Sequence, residues 1–152
     1  SGALDCSPRG GLPGFVKVVN ENCIIIPDSK GNNRLDSLVN IIETKQVGCL
    51  FLIPGVDETL RINGRGRIST STAHLKQFSH HKNPPKACIE IRIKEVFLHC
   101  AKALMRSKLW SADAKLERSK FPTIATMLND QLCLSEPPES QATMVARYQQ
   151  DL

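Results

Sequence analysis

The apolar positions change period several times along the chain, and the changes mark out its elements. Residues 15–20 and 23–27 are rich in β-branched and aromatic side chains (Phe15, Val16, Val18, Val19 and Ile24 to Ile26), with Asn20-Glu21-Asn22 as a turn between them. They read as two short strands. Ahead of them, residues 7–14 hold Pro8, Gly10, Gly11, Pro13 and Gly14, a loop that must bend sharply. The period then lengthens. Leu35, Leu38, Val39 and Ile42 fall at i, i+3, i+4 and i+7, which predicts a helix over 34–44 with Asn32 or Asn33 as its N-cap.

Residues 47–53 form a continuous apolar strand closed by Pro54-Gly55. Residues 58–69 alternate: Leu60, Ile62, Gly64, Gly66 and Ile68 face one way, and Arg61, Asn63, Arg65 and Arg67 the other. The two glycines inside that strand suggest a bent, closing sheet. A short helix over 72–78 and a loop carrying Pro84-Pro85 lead to a long strand over 87–99, where Ile89, Ile91 and Ile93 alternate with Glu90, Arg92 and Lys94. Helices are predicted over 100–110, 122–132 and 140–150, the last one after the break at Glu136-Pro137-Pro138. The expected class is mainly β with helices, a small closed or half-closed barrel trimmed by C-terminal helices.

A length of 152 residues fits one domain, and 41% hydrophobic with 23% charged residues excludes a disordered or collagen-like chain. No apolar run approaches the ~18 residues of a membrane span. The polar, turn-like opening does not read as a secretory signal, so the expected location is cytoplasmic. Lysine and arginine outnumber acids by 20 to 15, giving a net charge of +5 that suits an anionic partner. Only 5% of residues are aromatic, which leaves little for base stacking and argues against nucleic acid. The stripe Arg61, Arg65 and Arg67 is the best candidate of that kind, and its ordinary reading is a solvated face.

Six cysteines (Cys6, Cys23, Cys49, Cys88, Cys100 and Cys133) form no C-x-x-C pair and read as free, mostly buried thiols. His80-His81 lacks a further ligand at metal spacing, so no metal site is expected. His99-Cys100 are too close in sequence for nucleophile and base, which are usually drawn from distant positions.

Two segments suit a ligand. The loop 28–34 delivers a helix N-terminus, where backbone N–H groups and the positive end of the helix dipole converge. Lys30 and Arg34 add charge and Gly31 allows close approach, which suits a terminal phosphate. The other reading is a capped surface helix with solvated charges. The loop 7–15 could curve around a flat ligand and offer Ser7 and Arg9, or serve as an ordinary barrel-rim loop. Met105 and Trp110, beside Arg106 and Lys108, read as core packing or as a dimer contact closing over a cofactor.

Together these motifs carry a resemblance. Ser7-Pro8-Arg9-Gly10-Gly11, Ile26-Pro27-Asp28, the run from Gly31 to Leu38, residues 48–55 and Thr59 to Arg67 resemble the pyridoxamine 5′-phosphate oxidase-like, FMN-binding split-barrel family. Glu95 to Leu104 with Ser107-Lys108-Leu109-Trp110 is similar to an oxidase-related branch of it. The resemblance runs from about Leu4 to Leu132.

It implies a split β-barrel over 1–133, without the family's N-terminal helices and first strand, followed by a helical tail over 134–152. It also implies a homodimer with FMN at the subunit interface. By resemblance, Asn32, Asn33, Arg34 and Ser37 contact the phosphate, alongside Lys30. Ser7 and Arg9 lie nearer the flavin, and Lys102 approaches the cofactor. The Arg-x-His element by which vitamin-forming oxidases grip their substrate does not occur. The implied activity is therefore FMN-dependent oxidoreduction of another substrate, with no residue singled out as catalytic. A flavin- or haem-carrying protein without turnover is the alternative, and a basic nucleic-acid-binding barrel the third reading.

Overall fold

The computed structural model describes residues 4–31 and 34–151. Five antiparallel strands form one sheet: β1 (Lys17–Asn20), β2 (Cys23–Pro27), β3 (Gln46–Phe51), β4 (Thr59–Ser69) and β5 (Cys88–His99). Their order is β1-β2-β5-β4-β3, and the two edge strands do not meet, so the sheet is split rather than closed. Helix α1 (Asp36–Thr44) links β2 to β3. A short α2 (Thr72–Leu75) continues into a 3₁₀ turn (Lys76–Phe78) before β5. Then α3 (Lys102–Ser107), α4 (Ile124–Leu132) and α5 (Gln141–Gln149) follow. No helix among the described residues is long and apolar enough to cross a membrane.

The period-2 pattern sorts the sheet into two faces. One face gathers Ile24, Ile26, Ile62, Ile89 and Ile91, capped by Ile41 of α1, with Phe15, Val16, Leu38, Val47 and Cys49 around them. On the other, Ile25 and Cys88 pack under Phe78, and all three are fully buried. Burying such side chains stabilises the fold by roughly 1.5–3 kcal/mol each.

Several expectations are corrected. Helix α1 buries Ile41, and of the predicted stripe only Leu38 packs against the core, while Leu35, Val39 and Ile42 stay exposed. Helix α1 packs chiefly on β4 and β3, and Ile41 meets the sheet at Gly66, where a Cβ would stand 3.1 Å from Ile41 Cγ2. The N-cap position belongs to Leu35 without a side-chain cap; Asn32 and Asn33 lie outside the described residues. The helix expected over 100–110 is only six residues long, and Met105 is 61% exposed rather than core. Trp110 instead donates its indole N–H to the Val56 carbonyl at 2.8 Å. Of the six free thiols, Cys23 and Cys88 are buried and Cys49 half-buried, while Cys6, Cys100 and Cys133 are exposed. Burial raises the pKa of Cys23, Cys49 and Cys88.

Candidate functional site

Strand pairing assembles the main cleft. Pro27 at the end of β2 lies opposite Cys88 at the start of β5, and the Asp28 amide donates to the Ala87 carbonyl at 3.0 Å. The loop leaving β2 therefore runs beside the loop entering β5. With the glycine-rich loop before β1, they enclose a cleft of about 700 Å³.

Ser7, Arg9, Lys30 and Arg34 all line it, so four of the residues singled out in sequence share one surface. Gly10 and Gly31 leave the walls open, since a Cβ on Gly10 would meet nothing within 4 Å and one on Gly31 only a carbonyl oxygen at 4.0 Å. Phe15 and Leu35 give the cleft an apolar side.

Ser37 and Lys102 are not among its lining residues. Ser37 sits in the first turn of α1 and donates its hydroxyl to the Asp5 carboxylate. Lys102 follows the opposite end of the 12-residue β5, roughly 35 Å of strand away.

Two contributors escaped sequence reading: the loop Asn83 to Lys86, and Asp151 near the end of α5. The Pro84-Pro85 pair marked that loop, but its neighbour in space follows only from the β2–β5 pairing.

The chain's own carboxylates sit on most of these cations. Arg9 Nη1 donates to Asp28 Oδ1 at 3.1 Å, with both side chains about a quarter exposed. Lys30 Nζ donates to Asp151 Oδ1 at 2.6 Å, and Asn83 Nδ2 holds the Asp151 carbonyl at 3.1 Å. Arg34 grips Asp36 Oδ2 through Nε and Nη2 at 3.1 and 2.9 Å. Lys86 has no ion partner among the described residues. Four lining cations thus meet three carboxylates, Asp28, Asp151 and the adjoining Asp36, which leaves a surplus of one positive charge that favours an anion. The lining holds no histidine, cysteine, glutamate, methionine or tyrosine. Among the described residues the lining thus includes no imidazole or thiolate of the kind that activates a nucleophile or ligates haem iron.

The remaining candidates are dispersed. Arg61 lies 4.8 Å over the Phe97 ring, and its buried Nε has no hydrogen-bond partner among the described residues. Arg67 pairs with Glu90 at 2.7 Å; that carboxylate is only 5% exposed, with His74 of α2 3.6 Å away. His80 and His81 meet edge to face at 4.8 Å, and burial, then the charges of His80 and Lys17, lower the His81 pKa. No cluster of three metal-ligating side chains exists among the described residues.

An open antiparallel sheet with one inserted helix and a basic cleft at the strand ends is the architecture of a split barrel. The family model for pyridoxamine 5′-phosphate oxidase matches residues 2–100, and the chain belongs to that family. Among solved structures it is similar to Group A Streptococcus HupZ at 17% identity and a TM-score of 0.47, covering 56% of this chain and 73% of that one. That match is to a point variant; a second HupZ structure matches with the same identity and TM-score over 55% and 68%. No curated protein matches the chain.

Proposed function

We propose that the protein binds FMN in this cleft and acts as an FMN-dependent oxidoreductase on a substrate other than pyridoxamine phosphate. The observation that carries the reading is the convergence of Arg9, Lys30, Arg34 and Lys86 on one cleft in a chain of this family. The fit is supported by the cation surplus, by glycines that leave room for close approach, and by a volume within the ~300–1,000 Å³ range of small-ligand pockets. The donor set favours a phosphorylated flavin over haem, because this protomer's lining supplies no axial ligand.

When bound, the flavin supplies hydride acceptance at N5. The chain's part is to hold the cofactor. Lys30, Arg34 and Lys86 neutralise the phosphate beside the uncapped start of α1, where backbone N–H groups add partial positive charge. Arg9 stays within reach of the ring end while Asp28 fixes its guanidinium. Phe15 and Leu35 exclude water from the apolar part of the ligand.

A second copy of the chain completes the reading. β5 pairs with β2 only as far as Arg92, so no described strand covers residues 94–99 on that side. There Val96, Phe97 and Leu98 are exposed, with Leu50 and Leu52 nearby on β3 and just after it. A homodimer would bury these apolar side chains.

The purified protein is expected to show flavin absorption, or to quench the fluorescence of added FMN saturably. Arg34→Glu is expected to weaken that binding at least tenfold. A colourless preparation that leaves FMN fluorescence untouched refutes the proposal. Bound FMN that neither NADH, NADPH nor a substrate panel reduces would favour a flavin carrier without turnover.

A further inference from the structure

Face B of the sheet, the one opposite the α1 core, carries a second basic site that the flavin cleft does not explain. Register places its side chains in rows. In one row Lys17, Ile25, Glu90 and Arg67 stand abreast on β1, β2, β5 and β4. In the next row Cys23, Arg92, Arg65 and Gln46 do so.

The first row carries an acid, Glu90, between its two cations, Lys17 and Arg67. Glu90, 6% exposed at its side chain, accepts from Arg67 at 2.7 Å and lies 3.6 Å from His74 Nδ1, which also meets Ser69 Oγ at 3.0 Å. The second row is not balanced. Arg92 and Arg65 are paired directly across adjacent strands, both exposed, and their side chains make neither a hydrogen bond nor an ion pair to any described residue. Like charges directly opposite in a sheet destabilise it. The nearest further acid in register, Glu95, is taken by Asn63 Nδ2 at 3.1 Å.

Beside this pair lies a groove of about 430 Å³, lined by Arg92, Arg67, His74, Asn20 and Asn22 and by the Glu90 carboxylate that Arg67 holds. The β1–β2 turn forms its wall, and a bulge between Val18 and Asn20 shapes that wall. Arg67 spends one nitrogen on Glu90 and is 67% exposed at its side chain, so donors remain for a ligand.

We propose that this groove binds a phosphomonoester, its terminal phosphate bridging Arg92 and Arg67, while Arg65, outside the groove lining, adds positive charge from the strand opposite Arg92. Two forked guanidinium groups suit a single terminal phosphate. A nucleic-acid backbone needs a longer row of cations, and here Glu90 and Glu95 interrupt it. The site is independent of the flavin cleft and stands or falls separately from it.

Calorimetric titration of the full chain at 150 mM salt tests the site, with inorganic phosphate, glycerol 3-phosphate and a short duplex oligonucleotide as probes. The expected result is saturable binding of phosphate or its ester that survives Arg34→Glu and weakens at least tenfold in Arg92→Gln. The tighter of those two probes identifies free phosphate or an ester as the source. The melting temperature supplies a second readout. Without phosphate, Arg92→Gln should melt no lower than wild type, because the like-charge contact is relieved, and it should lose the rise that phosphate produces in wild type. Binding that Arg34→Glu abolishes and Arg92→Gln spares would overturn the proposal. So would the absence of saturation, or oligonucleotide binding in preference to both small probes.

Discussion

Replacing Gly64 by alanine tests the sheet's geometry at the point where β4 and β5 change register. The bulge lies between Asn63 and Gly64, and there the backbones approach closely. A Cβ on Gly64 would stand 2.3 Å from the Arg92 carbonyl oxygen, 3.0 Å from its carbonyl carbon and 3.0 Å from Ile91 Cγ2. Ordinary contact begins near 3.4 Å, so the strands must part by about 1 Å, and the obstacle is backbone that cannot swing aside.

Two weakened ladder hydrogen bonds cost about 1 kcal/mol each, and overpacking against Ile91 adds roughly 1–3 kcal/mol. A total of about 3 kcal/mol corresponds to a fall in melting temperature of roughly 6–12 °C for a chain of this size. Two controls bracket the variant. Gly48→Ala meets only the movable Asn63 Oδ1 at 3.3 Å, and Gly10→Ala meets nothing within 4 Å. Thermal unfolding of the three variants side by side is the assay. A Gly64→Ala protein melting within about 2 °C of Gly10→Ala would refute the close approach and with it the β4–β5 register.

Phe78→Ala, which empties the centre of the smaller cluster with Ile25 and Cys88, should cost about 3–5 kcal/mol in urea unfolding. Asp151→Asn should release Lys30 and tighten phosphate or FMN binding in the cleft several-fold in the same fluorescence or calorimetric titration. A thiol reagent should label Cys6, Cys100 and Cys133 quickly and the other three only on unfolding, read by mass spectrometry over time. Burial raises the folded pKa of Cys23, Cys49 and Cys88 above the ordinary 9.0, so the folded state holds their protons more tightly. Their contribution to stability is then complete below pH 9 and lost as pH rises beyond it, which unfolding midpoints between pH 7 and 10.5 would reveal.

Local patterning determined much of this protein. Apolar and β-branched runs for β1 to β3, and alternation for β4 and β5, placed all five strands to within about two residues. The Ser7–Arg9 and Lys30–Arg34 segments stood out in the sequence as candidate ligand loops through their glycine, proline and cations, and the structure brings both to one cleft. What tertiary structure alone decided was who stands beside whom. Helix α1 turns Ile41 inward because of its crossing over Gly66, which its own periodicity does not encode. Lys86 and Asp151 reach the cleft through the pairing of β2 with β5 and the return of α5, contacts between residues far apart in the chain. Arg65 and Arg92 likewise look like unremarkable surface charges until register sets them face to face. Pairing energies between distant strands depend on both partners at once, and no window of a single chain segment contains them.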